Sequence, residues 1–222
     1  LDLATPEKQA ASVLDIIALF VILAAFFCNM YVAIDATAGE RERRSLEPLL
    51  INPVPRAVFV GGKWLATVVF GACGVLLTLL LLVVSISLVP LEEIGLRIDL
   101  QPGLVIGIFL IAFPLVLFAG AFQLLVSSFA RSFKEAQTYL TLTLFVPMVP
   151  GMVMTMSPFV AQDWMMVVPV LSQQVLISDL LRGEHPSLLQ HSFAVTSTLG
   201  CGLLVLWLTS WLFSREQILF GD

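Results

Sequence analysis

Few residues in this 222-residue chain have the type and spacing to do chemistry. Glu92 and Glu93, followed by Arg97, form an E-E-x-x-x-R pattern. With histidines converging on it inside a membrane, such a pair activates water for peptide-bond cleavage. Here the pair falls in a connection between apolar runs, and neither His185 nor His191 has the sequence context that chemistry needs. Glu184, His185 and His191 also lack the H-E-x-x-H spacing that turns two imidazoles to one helix face, so a solvated loop is expected there. Gly61-Gly62-Lys63 has neither the upstream glycine nor the hydroxyl residue of a G-x-x-x-x-G-K-[ST] phosphate loop. No catalytic residue, cofactor or metal is therefore expected, and ATP hydrolysis, if it is used, belongs to another chain. Cys28, Cys73 and Cys201 are odd in number and far apart, which suits small apolar fillers. Met148, Met152, Met154, Met156, Met165 and Met166 suit adaptable packing around a proline-broken helix better than soft-metal binding.

One segment, 38–64, mixes dense charge with a short apolar stripe. Its basic residues, Arg41, Arg43, Arg44, Arg56 and Lys63, favour the cytoplasmic side of a membrane. Ser45 can cap a short helix over 45–51 in which Leu46, Leu49 and Leu50 share a face, with Pro48 tolerated in the first turn. Asn52-Pro53 ends that helix, and Pro55 can start the next, which runs on into the membrane. Physically this is either a docking helix for a cytoplasmic partner or a basic loop whose leucines rest on lipid headgroups.

The order of residues adds to this. The run GERERRSLEPLL at 39–50, then Pro53, then Gly62-Lys63, resembles the signature loop of ABC-2-type permeases, in particular the sodium-efflux (Nat-type) branch and its relatives. It departs at Arg44, where the family usually has Gly. The resemblance implies the membrane-spanning subunit of an ATP-binding-cassette exporter, paired with a second permease copy or homologue. It also implies a separate cassette ATPase docked beneath each permease. Carried onto this chain, the docking residues are Glu40, Glu42, Arg43, Arg44, Leu46, Leu49 and Leu50. Na⁺, a drug, a lipid or a peptide all remain open as substrate. No nucleic-acid partner is expected.

The elements that must hold this loop are membrane spans. Hydrophobic residues make up 59% and charged residues 12%, with mean hydropathy +0.99, which excludes an ordinary soluble domain. Several charge-free runs exceed the roughly 18–20 residues that cross a bilayer. The expected fold is all-α and polytopic, with about five transmembrane helices. An external linker, 1–12, precedes a permease membrane domain, 13–222. Spans are expected at 13–36, 64–89, 104–129, 136–159 and 192–214, with the cytoplasmic coupling loop at 37–63. Pro147, Pro150 and Gly151 should break the fourth span between about 145 and 154. Pro169 can open a moderately amphipathic helix at the outer interface.

With the signature loop inside, 8 basic residues fall on the cytoplasmic side and 3 (Lys8, Arg97, Arg182) outside. An amino end outside, and a first residue other than Met, point to a piece of a longer multi-pass protein of a bacterial cell membrane. Asp15 and Asp35 lie near span ends, where carboxylates reach the headgroups. Asn29 and Gln123 lie deeper and either line a polar pathway or hydrogen-bond between helices. Two other classes compete: a membrane scaffold without a pathway, and an ion-coupled secondary transporter. The second more often carries ionisable groups at mid-membrane, which are essentially lacking here.

Overall fold

The computed structural model describes residues 6–43, 45, 54–88, 101–156, 162–184 and 186–213. Regular structure among them is entirely helical. Helix α1, Pro6–Ile34, opens with a proline where its missing N–H costs nothing, inside the stretch expected as a linker. It continues through a π-helical turn, Asp35–Gly39, into a last α-turn, Glu40–Glu42. Helix α2, Arg56–Leu88, starts immediately after Pro55 and runs 33 residues without a proline. Helix α3, Pro102–Ser128, has Pro102 in its first turn and Pro114 inside. Then come α4, Phe133–Thr143, and α5, Phe145–Met156. A 3₁₀ turn, Asp163–Val167, leads to α6, Leu171–Leu181, and α7, Leu188–Phe213, follows.

Five stretches are long and apolar enough to cross a membrane: Ala11–Glu42, Arg56–Leu88, Pro102–Ser128, Phe133–Thr155 and Leu188–Phe213. The fourth is the broken one, and the break falls at Leu144, between α4 and α5. That is just before the proline window expected from sequence. The reason is local: Pro147 sits in the first turn of α5, where a missing N–H is tolerated, so the helix restarts ahead of it. Pro150 is then carried inside α5.

Helices α1 and α3 form the centre, and α2, α5, α6 and α7 pack around them. Ile22, Ala25 and Phe26 of α1 are fully or almost fully buried with Leu115, Val116 and Ala119 of α3. Half of the most apolar window of α3 is buried, against 17% for α2. What α2 leaves uncovered is mostly apolar: Leu65, Val69, Phe70, Leu76, Leu77, Leu80, Leu81 and Val84 are all about half exposed or more. A contiguous apolar face of this size has hydrocarbon as its natural solvent. The helices meet through bare backbone. A Cβ on Gly71 of α2 would lie 1.9 Å from Asn29 Oδ1 of α1, and one on Gly74 2.3 Å from Cys28 Sγ. On α3, a Cβ on Gly120 would lie 2.7 Å from Thr67 Oγ1 of α2.

Helix α6 lies at the end of the bundle away from the charged turn. Instead of resting one face on the headgroups, it is buried throughout 172–178 between α1, α3 and α5. Its glutamines are hydrogen-bonded inward: Gln173 Nε2 donates to Thr198 Oγ1 (2.8 Å), and Gln174 Nε2 to the Asp15 carbonyl (3.3 Å). Arg182, just past its end, donates to Asp15 Oδ1 at 2.7 Å. Asp15 is therefore buried against protein and paired, not extended to the headgroups as expected. Gly183, at φ +78°, closes α6 in a left-handed turn that also brings the Glu184 amide to the Asp179 carbonyl.

Partial burial, with Glu184 nearby, holds the Asp179 carboxyl up to about 6 despite Arg182. Its usual value is 3.8, so the folded form keeps a proton that the unfolded chain has released. The attachment of α6 should weaken as pH rises from about 4 to about 6 and level off above that. Hydrogen exchange of the α6 amides should thus be slower at about pH 4.5 than at about pH 7, after correction for intrinsic exchange. Asp179→Asn should remove that difference.

Candidate functional site

The charged turn 39–45 sits where the ends of four helical elements meet, and each of its charged residues at 40–43 reaches a different one. Ser45 closes it: its amide and hydroxyl both donate to the Glu40 carbonyl, at 3.0 and 3.1 Å. The Glu40 carboxylate accepts from Lys63 Nζ of α2, which also donates to the Ala36 carbonyl inside the π turn. Arg41 Nη1 and Nη2 donate to the carbonyls of Ala130 and Ser128, at 2.8 and 3.1 Å. The Ser128 carbonyl is the last of α3 and Ala130 lies two residues beyond it, where no further helical N–H is available and the helix dipole favours a cation. The Glu42 carboxylate accepts from the Phe133 amide at 2.7 Å, at the start of α4, where an anion is favoured. Arg43 pairs with Asp35 at 2.8 Å on the exposed side. Arg41 and Glu42 thus meet helix ends of opposite polarity, while Glu40 and Arg43 pair with side chains of opposite charge.

The π turn is pinned from a second side. Thr37 Oγ1 donates to the Ala33 carbonyl (2.7 Å) and is hydrogen-bonded to Ser127 Oγ of α3 (2.7 Å), and Ser127 is fully buried. At the head of α4, Ser132 accepts from the Glu135 amide (3.2 Å), while Glu135 accepts from the Arg131 amide (2.7 Å). This is a reciprocal arrangement close to a capping box.

Of the docking residues expected from sequence, Glu40, Glu42 and Arg43 lie in this network. Arg44, Leu46, Leu49 and Leu50 lie outside the described residues, as do Glu92, Glu93, Arg97 and His185. Asn29 and Gln123 are both fully buried. Asn29 Nδ2 donates to the Val116 carbonyl (3.2 Å) and Gln123 Nε2 to the Phe26 carbonyl (2.8 Å), so both tie α1 to α3. Sequence reasoning missed Arg41 and the pairing of Lys63. The strict Glu-Arg alternation at 40–43 was the available signal. Cys28, Cys73 and Cys201 are free thiols. Met165 and Met166 are buried in the main apolar core.

An all-helical bundle with five membrane-crossing stretches, lipid-suited faces and a charged connection held at one end is a multi-pass membrane protein. The chain belongs to the ABC-2 family of transporter proteins, whose family model matches residues 4–218. It is 30% identical over 186 residues to the ABC transporter permease protein NatB of Bacillus subtilis (strain 168), covering 81% of this chain. The chain spans 48% of the length of that relative. No solved structure matches.

Proposed function

We propose that this chain supplies the membrane-spanning part of the permease subunit of an ATP-binding-cassette exporter. In this reading ATP is hydrolysed by a separate cassette subunit and substrate leaves the cytoplasm between two permease copies. The observation that carries the proposal is the charged turn, anchored to α2, α3 and α4 beside segment 46–53. A partner docked on 46–53 would push on a fixture of the bundle and not on a slack loop. The basic residues agree in direction. Arg41 and Arg43 lie at one end with Arg131, and Arg182 lies at the other. The positive-inside rule makes the charged-turn end cytoplasmic. In support of a second copy, α4 presents Gln137, Thr138 and Thr141 outward from the bundle. Polar side chains on a membrane helix favour facing protein or water over lipid. In this scheme 46–53 docks the ATPase, with Glu40, Glu42, Arg43 and Arg44 at its rim.

The test is topological and then biochemical. In the full-length protein, with its native cysteines replaced by alanine, cysteines at Ser45 and Lys134 should react with an impermeant maleimide only from the cytoplasmic side. One at Leu188 should react from outside. The protein should also co-purify with a cassette ATPase. Labelling of Ser45 from outside would overturn the orientation and with it the docking role.

A further inference from the structure

Lys63 has no part in the docking surface proposed above, and its placement is unusual for a basic residue near a membrane surface. Its side chain is only 7% exposed. The ammonium points into the bundle, where it meets the Glu40 carboxylate, the Ala36 carbonyl and, 4.5 Å away, the centre of the Phe59 ring. A lysine serving only the positive-inside bias would extend along the surface with its charge in water. Withdrawing both charges of a pair from water rarely gains stability over an apolar pair of similar size. What the pair does provide is one defined geometry, and the residues it joins show what that geometry fixes.

In sequence, segment 46–53 lies between Ser45 and α2, whose eighth residue is Lys63. Ser45 is held by the Glu40 carbonyl, and Glu40 is held by Lys63. One lysine therefore closes the base of the loop, joining its outgoing stem to its returning stem. Through the Ala36 carbonyl it also joins both to the π turn, the only place among the described residues where the α-helical ladder of the first span is interrupted within the span.

We infer that Lys63 is a positioning residue for transport: it clamps the two stems of the docking loop so that the loop and the inner ends of α1 and α2 are displaced together. The inference rests on the docking reading. It assigns Lys63 no contact with ATPase or substrate. Removing the clamp leaves docking in place and lets the loop move without α2.

The experiment uses the full-length permease with its cassette ATPase in nanodiscs, native cysteines replaced by alanine. Nitroxides are placed at Ser45→Cys and Gly62→Cys. Gly62 suits a label because nothing lies within 4 Å of a Cβ there. Lys63→Met alone strands a half-buried carboxylate and risks misfolding, so the informative variant is Lys63→Met with Glu40→Gln, which removes both charges. With Lys63 present, the dipolar spectrum should show one narrow coupling, the same without nucleotide and after ATP–vanadate trapping. In the double variant the distance distribution should widen at least twofold and shift on trapping, while ATPase co-purification stays within twofold of that of Glu40→Gln alone. Lys63→Arg with Glu40 intact should keep the narrow coupling. A narrow, nucleotide-independent coupling in the double variant would overturn the clamp, as would a loss of ATPase binding equal to that of loop variants. If the parent protein bound no ATPase, the docking reading would fail. The nucleotide-free widths of the two proteins would still decide whether Lys63 holds the stems.

Discussion

Gly71→Ala should sharply reduce the yield of folded protein and lower its melting temperature, while Gly62→Ala, on the same helix, should be neutral or slightly stabilising. A methyl at Gly71 would lie 1.9 Å from Asn29 Oδ1, 2.7 Å from Asn29 Cγ and 2.9 Å from Val116 Cγ1. Asn29 cannot swing aside freely, because its amide is bonded to the Val116 carbonyl in a fully buried site. Either the helices separate, with an overpacking cost of about 1–3 kcal/mol, or that hydrogen bond is lost at a similar cost. At Gly62 nothing lies within 4 Å, so only the helix preference of alanine over glycine remains. Thermal unfolding in detergent, followed by fluorescence or size-exclusion monodispersity, separates the two. Asn29→Ala in the Gly71→Ala background should recover part of the loss by removing the colliding atoms. Equal stability of Gly71→Ala and the parent would show that α1 and α2 do not approach so closely.

Truncating Leu46 and Leu49 to alanine together should weaken ATPase docking by an order of magnitude or more. These residues lie outside the described structure, and the expectation rests on their spacing. A leucine buried in a partner groove contributes roughly 1.5–3 kcal/mol, and about 1.4 kcal/mol is tenfold in affinity. The membrane helices should stay folded, because neither residue lies in a span. Exposed rim charges typically contribute under about 1 kcal/mol, so Arg43→Ala should matter little to docking. Glu40 and Glu42 differ: their side chains are engaged with α2 and the start of α4, so substituting them should reduce permease stability before it reduces docking. Co-purification of the ATPase with each variant, read beside the variant's own melting temperature, distinguishes the two effects. Undiminished docking by the double leucine variant would leave a headgroup-resting loop as the better account.

The spans were legible because an apolar run long enough to cross a bilayer leaves few alternatives. The break in the fourth span was legible from Pro147 and Pro150, though not its position at Leu144, which depends on where a proline is tolerated in a new helix. Less was visible wherever polar residues are satisfied at long range. Arg41 and its acceptors at Ser128 and Ala130 are 87 and 89 positions apart, and Asp15 and Arg182 are 167 apart. No local pattern announces such pairs. Ser172, Gln173, Gln174 and Ser178 make α6 look like a surface helix from composition. They are buried, and the two glutamines bond across to α7 and α1. Asn29 and Gln123 fitted a pathway or an interhelix tie equally well, since an amide in a span suits either until its partner is seen.

The crossing at Gly71 has a mechanical consequence for α2. The helix has 33 residues and no proline, so it is a stiff rod of about 50 Å. Gly71 and Gly74, where its bare backbone touches α1, lie near its middle. A rod with its tightest contact at mid-length is a lever with nearly equal arms, and the crossing is its fulcrum. A sideways push of a few ångströms at the Arg56 end would reappear at the Leu88 end with similar size and opposite sense. The fluid lipid along its uncovered face would offer that swing little resistance.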